Sequence, residues 1–330
     1  MSVLVTGCAG FIGSKVTDLL LREGHEVFGV DTLNDAYSVL LKRWRLGHLE
    51  QQPSFRFQNL DITDRHAVES LFYGESKRSE PLRSVIHLAA RAGVRQSLAD
   101  PWSYYQTNVE GTLNILEQCR RHKTPKFVLA STSSVYGESE RPFREDAPTD
   151  RPLSPYAASK KAAEVLCYTY SRLHGLDTTV LRFFTVYGPA GRPDMSIFRF
   201  IKWISEGEPV LVNGDGSQKR DFTYVDDIAR GALLAMKPLG YEAINLGSDQ
   251  PISLHEIIER IEGLVGKRAH IVHRPGHPTD VAATWADVTR ARALLEWVPS
   301  TDISDGLARV VEWYQENRDW AKDCIDESQE

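Results

Sequence analysis

Apolar residues along the first half of the chain follow two alternating rhythms. Short β-rich runs at Val3–Val5, Glu26–Val30, Phe55–Gln58, Ser84–Ala89, Lys126–Ala130 and Thr179–Phe183 predict strands. Between some of them the apolar spacing changes to three and four, which predicts helices over Ile12–Arg22, Trp102–Arg121 and Tyr156–Leu173. Val109, Leu113, Leu116 and Cys119 mark the stripe of the second helix. Strands that alternate with helices need right-handed crossovers and build a parallel sheet covered on both faces. From Pro189 to Asp227 the chain becomes denser in Pro, Gly and charged turns. Short strands are expected at Pro209–Val212 and His270–His273, and helices at Met195–Glu206, Val225–Met236, Leu254–Val265, Val288–Leu294 and Ser304–Glu316. The predicted class is α/β: a Rossmann-type doubly wound parallel sheet with a smaller α/β C-terminal domain. No Pro/Ser-rich linker separates the two. The expected boundary is discontinuous: residues 1–184 plus about 222–250 form the first domain, and about 185–221 plus 251–330 the second.

At 330 residues the chain is long enough for about two domains. Its 42% hydrophobic and 25% charged residues are globular values and exclude disorder. A balance of 39 basic against 45 acidic residues, net −6, argues against nucleic-acid binding but leaves room for a local arginine cluster. Every apolar run falls far short of the ~20 residues that span a bilayer, and no basic leader precedes Val3, so neither membrane span nor signal peptide is expected. Cys8, Cys119, Cys167 and Cys324 lie far apart without a CxxC pattern. That spacing predicts no metal site and no disulfide framework, and fits a reducing cytoplasm; Cys119 and Cys167 fall on apolar helical positions and are expected to be buried.

The chemistry begins at the first strand. Gly7, Gly10 and Gly13 are spaced GxxGxxG between that strand and the first helix, where glycine lets the backbone approach a pyrophosphate and the helix N-terminus adds N–H donors. Asp31 ends the second strand, where a carboxylate accepts from both ribose hydroxyls of an adenosine and repels a 2′-phosphate; this favours NAD over NADP. Asp61 is placed either to meet the adenine amine or to start a helix ahead of Asp64. Tyr156 and Lys160 form YxxxK on one helix face, and an ammonium beside a phenol lowers the phenol's pKa from ~10 toward neutrality, making a base for a sugar hydroxyl. Thr132, Ser133 and Ser134 follow a buried strand, at the sheet edge where ligands bind in such folds. His87 reads as a core strand histidine.

Taken together, TGCAGFIGS, VDTLNDAYSVLLKRWRL, HLAARAGVRQSL, TNVEGTLNILE, STSSVYG, SPYAASKKAAE, LRFFTVYGPAGRPDM and KRDFTYVDD resemble the extended short-chain dehydrogenase/reductase superfamily. Within it the chain is most similar to the nucleotide-sugar epimerases of the UDP-glucuronate 4-epimerase group, over about residues 3 to 317. The resemblance implies tightly bound NAD, a UDP-sugar substrate, a homodimer built on the Trp102–Arg121 and Tyr156–Leu173 helices, and conversion of UDP-glucuronate to UDP-galacturonate through a transient 4-keto sugar without decarboxylation. It implies Tyr156, Lys160 and Thr132 as catalytic residues. Further cofactor contacts are implied at Phe11, Ile12, Ile62, Leu88, Ala89, Ala90, Asn108 and Ser131. Ser133, Ser134, Thr185 and Arg192 are implied at the sugar carboxylate, with Arg95 and Ser196 also at the substrate. Arg220 matches a diphosphate contact, Asp280 a ribose contact, and Leu211 and Asn213 the segment that holds the base. Sugar-nucleotide dehydratases of this superfamily carry an Asp-Glu pair, and UDP-glucuronate decarboxylases a Glu, where this chain has Ser133-Ser134. Galactose-type epimerases carry Asn at the Thr185 position. The remaining alternatives are a decarboxylase, a UDP-glucose/galactose 4-epimerase, or a non-enzymatic NAD sensor, which would usually lack the Tyr or Lys.

Overall fold

The structure is a computed structural model that describes residues 1–276 and 281–324. Twelve strands follow in chain order: β1 (Ser2–Thr6), β2 (Glu26–Asp31), β3 (Phe55–Asn59), β4 (Leu82–His87), β5 (Lys126–Thr132), β6 (Asp177–Phe183), β7 (Thr185–Tyr187), β8 (Pro209–Asn213), β9 (Lys219–Tyr224), β10 (Tyr241–Leu246), β11 (Pro251–Ser253) and β12 (His270–Arg274). The helices in the first half are α1 (Phe11–Arg22), α2 (Val39–Leu49), α3 (Arg65–Ser76), α4 (Gln96–Ala99), α5 (Pro101–Tyr105), α6 (Thr112–Arg121) and α7 (Pro155–His174). Those in the second half are α8 (Ser196–Glu206), α9 (Val225–Leu234), α10 (Leu254–Val265), α11 (Thr289–Leu295), α12 (Ile303–Glu316) and α13 (Arg318–Ala321).

Seven strands form one sheet in the order β10-β6-β5-β4-β1-β2-β3, and every neighbouring pair is parallel. The order reverses between β1 and β4, which opens a crevice at their carboxyl ends. Successive β1 residues serve opposite faces. Val3 and Val5 pack with Val16 and Leu20 of α1 and Ile228 and Ala232 of α9, whereas Leu4 packs with Phe72 of α3, Leu116 of α6 and Cys167 of α7. This is the two-sided burial that the unbroken apolar strands predict. All four cysteines are buried and unpaired.

A smaller layer stands over the carboxyl edge. It holds the sheet β11-β9-β7, the pair β12-β8 and a core in which Phe198 and Ile201 meet Ile257, Ile261, Val310 and Tyr314. The chain crosses into this layer after β6 and returns to the large sheet through α9 and β10.

Several sequence expectations need correction. The Trp102–Arg121 helix is continuous but not α-helical throughout: α5 passes through a π-helical turn, Gln106–Gly111, into α6. That turn rotates the inward face, so Leu113 is 37% exposed while Asn108 and Thr112 are buried. β4 ends at His87, which leaves Leu88, Ala89 and Ala90 in the loop beyond it. The strands β7, β9, β10 and β11 and the helices α2 and α3 were not anticipated. For α2 the physical reason is plain: Lys42 and Arg45 lie on its buried face, so apolar spacing gives no signal.

α7 carries the YxxxK pair and its frame is well defined. Ser154 caps its start, accepting from the Ala157 amide at 3.2 Å, Pro155 occupies the first turn, and Gly175 ends it in a left-handed conformation. In its middle Glu164 is buried against the sheet. The carboxylate accepts from Ser131 Oγ of β5 at 2.6 Å and from Arg182 of β6, Nε at 3.0 Å and Nη2 at 2.9 Å. Arg182 also donates to Tyr136 Oη at 2.9 Å, and Tyr136 to Asn245 of β10 at 2.7 Å. Removing one partner of such a buried ion pair typically costs about 3–5 kcal/mol, so the network fixes α7 along the strands.

Candidate active site

The glycine-rich turn follows β1 at the crevice. Gly7 has φ of 73°, and a Cβ there would lie 2.7 Å from the Ala89 amide nitrogen. A Cβ on Gly13 would overlap the Gly7 carbonyl. Both positions therefore need glycine, the first for its backbone conformation and the second for close helix–turn packing. Gly10 caps α1, whose first turn holds Phe11 and Ile12. Asp31 closes the adenosine side. Its Oδ2 accepts from the Ala9 amide at 3.2 Å and its Oδ1 from Leu33 at 2.8 Å, which orients the carboxylate at the strand end. The loop after β4 lies opposite, with the Leu88 and Ala89 amides donating to Thr6 Oγ1 at 3.2 and 3.1 Å. A narrow cradle of small residues ending in a carboxylate fits a dinucleotide without a 2′-phosphate.

Three implied cofactor contacts also have partners within the protein. Asn108 is buried, accepts from the Arg91 amide at 2.8 Å and donates to Arg91 O and Ser159 Oγ, both at 2.9 Å. Its amide joins the loop after β4 to α7. Ser131 donates its hydroxyl to Glu164, which leaves its oxygen as an acceptor. Asp61 Oδ1 is used in its own turn, by Thr63 N at 2.8 Å and Thr63 Oγ1 at 2.9 Å, and Asp64 is the true helix cap. The Ile62 side chain is buried, packed near Gly111.

Tyr156 stands near the start of α7, and Thr132 acts on its phenol. Thr132 Oγ1 donates to Ser134 Oγ at 3.2 Å at the end of β5. Ser133 and Ser134 are partly exposed in the following short turn. Thr132 pairs with Phe183 across the sheet, which brings Thr185, two residues on, to the same edge. Arg192 reaches in from the loop before α8. It makes a two-pronged pair with Asp194 at 3.0 and 2.6 Å and donates to Ala92 O at 3.2 Å. Its charge acts on the Tyr156 phenol, and the Tyr104 ring stands edge-on to Tyr156 at 6.1 Å.

The electrostatics around the pair run in opposing directions. The Tyr156 phenol lies above its ordinary range, because burial outweighs Thr132 and the Arg192 charge, which both pull it down. Lys160 is the weaker lever for a physical reason: burial pulls its own pKa down to about 8, against the opposing pull of Glu164. His87 is a core residue, held by Thr6 Oγ1 at 2.8 Å and Thr112 Oγ1 at 3.1 Å and pushed down to about 3 by burial and Lys160.

Across the crevice, Asn213 ends β8, and its side-chain oxygen accepts from Arg95 Nη2 at 2.8 Å and Nη1 at 2.9 Å once its amide is oriented to fit. The contact bridges the loop after β4 and the smaller layer. Leu211 lies two residues earlier on β8 and Ser196 opens α8, both partly exposed. Arg220 of β9 donates to Val281 O at 2.9 Å. Asp280 lies outside the described residues. Tyr104, Asp194 and Glu164 were missed in the sequence; the i+4 step from Lys160 to Glu164 was the available signal for the last. Among the described residues no group of three His, Cys, Asp or Glu side chains is placed to hold a metal ion, and no helix is long and apolar enough to cross a membrane.

Sheet order, cradle and Tyr-Lys helix define a dinucleotide-dependent enzyme class. The chain belongs to the NAD dependent epimerase/dehydratase family, whose sequence model matches residues 3–247. A UDP-glucuronate 4-epimerase from Thermodesulfobacterium geofontis is 56% identical over 315 residues, covering 95% of this chain and 96% of that one. The crystal structure of UDP-glucuronic acid 4-epimerase from Bacillus cereus in complex with UDP-glucuronic acid and NAD superposes with a TM-score of 0.90 and 37% identity, over 96% of this chain and 100% of that one. UDP-glucose 4-epimerase from Thermotoga maritima with UDP-glucose gives 0.87 and 32%, over 96% and 100%.

The position of Lys160 predicts a measurable cost. A lysine whose folded pKa is lowered opposes folding fully below about pH 8, and the penalty fades as pH rises toward its unfolded value. Lys160→Met is expected to raise stability by about 3 kcal/mol at pH 7, with the gain closing between pH 8 and 10.5. Urea unfolding across that range checks it; a gain that does not depend on pH contradicts the assignment.

Proposed function

We propose that this protein is an NAD-dependent UDP-glucuronate 4-epimerase, which interconverts UDP-glucuronate and UDP-galacturonate through a transient 4-keto sugar. One observation carries the reading: Tyr156 on α7, whose phenol feels the charge of Arg192, stands with Thr132 and Ser134 at the end of β5, so a proton acceptor and a carboxylate-seeking cation share one crevice beside the dinucleotide cradle. NAD, when bound, supplies the hydride acceptor and donor and adds a positive charge that favours phenolate. Gly7, Gly10, Gly13 and Asp31 hold it.

Tyr156 takes the C4 hydroxyl proton, with Thr132 as the relay, and gives it back to the C4 oxygen once hydride has been returned to the opposite face of the carbon. Inversion requires the keto sugar to present its other side to the same crevice between the two halves of the reaction. The sugar carboxylate makes that intermediate a β-keto acid, prone to lose CO₂. Arg192 with Ser133, Ser134 and Thr185 holds the carboxylate away from the alignment that would expel it. Arg95, Asn213, Leu211, Ser196 and Arg220 hold the nucleotide side, and Asp280 belongs with them on the resemblance. The smaller layer, residues 185–221 and 251–330, is the substrate domain. The Ser133-Ser134 pair lacks the carboxyl groups of dehydratases and decarboxylases, and Arg192 gives a neutral-sugar epimerase a charge it does not need.

The oligomer is a homodimer through α5, α6 and α7. Trp102 is 79% exposed and Leu173 71%, and Tyr105, Leu113, Val165 and Tyr168 add to the same group of neighbouring helices. Adjacent apolar faces of this size are rare on monomers, and a second copy offers the matching surface. Four buried free thiols support a reducing compartment such as the cytoplasm.

Purified protein is expected to convert UDP-glucuronate to UDP-galacturonate with no CO₂ released, followed by chromatography. Tyr156→Phe is expected to lower kcat by about 10²–10⁴-fold while NAD stays bound. Appearance of a UDP-pentose in the wild type, or full activity of Tyr156→Phe, rejects the mechanism. Light scattering is expected to give a dimer mass that Tyr168→Glu splits; a monomeric wild type rejects the interface.

A further inference from the structure

Arg45 is a buried charge that the reading above does not use. It is 3% exposed, on α2, and among the described residues its hydrogen-bond partners are neutral oxygens. Nε donates to Ala190 O at 3.0 Å, and Nη2 donates to Ala190 O at 2.6 Å and Gly191 O at 3.2 Å. Nη1 donates to Ala9 O at 3.3 Å and Tyr37 Oη at 2.8 Å. One planar fork therefore joins the glycine-rich turn, the loop that carries Arg192, and a tyrosine between them. Burying a guanidinium among neutral groups is costly, and an apolar side chain would serve α2 packing better.

Two routes lead from Arg45 to Arg192. The first is covalent. Ala190 holds φ of 52°, a region that residues with a Cβ occupy only when their surroundings impose it. Two Arg45 donors grip its carbonyl, and Arg192 follows two residues later. The second route runs through the Tyr37 ring. Arg45 lies 5.5 Å from its centroid and Arg192 5.9 Å, and the Arg45 bond to Oη fixes the ring's position. Both routes end at the same guanidinium, whose other bonds go to Asp194 and Ala92.

We propose that Arg45 is a positioning residue: it ties the Arg192 loop to the cofactor turn and so sets where Arg192 stands relative to Tyr156. Arg45 touches no reacting atom. Its effect on the substrate rests on the epimerase reading above, because Arg192 is there the partner of the sugar carboxylate. A cation that holds the carboxylate in ground state and transition state alike changes KM before it changes kcat. A misplaced one also frees the keto acid to lose CO₂.

The test is Arg45→Lys, which keeps the charge and replaces the fork with one nitrogen. In the wild-type holoenzyme and this variant, hydrogen exchange at residues 190–194 and steady-state kinetics with UDP-glucuronate are measured together. Expected are exchange about 10-fold faster in that segment, a KM raised about 10-fold with kcat little changed, and CO₂ release that the wild type lacks. Unchanged exchange overturns the proposal, and so does faster exchange with unchanged KM and no CO₂. A fall in kcat alone, with KM and exchange unchanged, assigns Arg45 a merely structural role and also overturns it. Should the wild type fail to turn over UDP-glucuronate, the epimerase reading falls, and the exchange result alone decides the tether. If Arg45→Lys does not fold, Tyr37→Leu carries the test by removing the ring between the two guanidiniums; an unchanged KM then overturns the proposal.

Discussion

The site depends on a buried carboxylate bonded to two strands of the sheet. Glu164 binds Ser131 on β5 and Arg182 on β6, and so fixes the height of α7 along two adjacent strands. Tyr156 lies two turns before it on the same helix, where Thr132 at the end of β5 acts on its phenol. Lys160 sits between them, close enough to Glu164 for the carboxylate to support its charge against burial. A slip of α7 by one residue would take the phenol off its partner and the lysine off its counter-charge together. The carboxylate is therefore a foundation for geometry and for electrostatics at once.

Burial acts on the two functional groups in opposite directions: it raises the phenol and lowers the amine. The crevice compensates with fixed positive charge and hydroxyls. Arg192 enters from a loop of the smaller layer, and Arg95 spans from the larger layer to Asn213. Charge of this kind favours an anionic nucleotide sugar although the chain as a whole is net −6.

Much of this was legible in the sequence. Most strands of the large sheet with apolar runs, from Val3–Val5 to Thr179–Phe183, could be read because both of their faces are buried; the edge strand β3 could be read from Phe55 and Phe57 alone. β10 escaped because its polar ends, Tyr241 and Glu242, mask the run that follows. Gly7 and Gly13 were legible because no other residue fits their backbone. The hidden parts share one cause: polar residues facing inward. Asn108 lies in a π-helical turn that periodicity does not reveal, Lys42 and Arg45 disguise α2, and Glu164 looks like any charged helical residue. Spacing could name Tyr156 and Lys160, but not that burial dominates the phenol, because desolvation is a property of the assembled crevice.

The account's central claim is that the electron pair leaves C4 of the sugar and returns to the same carbon without meeting water. The most direct test is UDP-glucuronate deuterated at C4, converted in ordinary water and read by mass spectrometry and NMR of the UDP-galacturonate formed. The account predicts that deuterium stays at C4 of the inverted product. Loss of the label to solvent, or its appearance at another carbon, would contradict it.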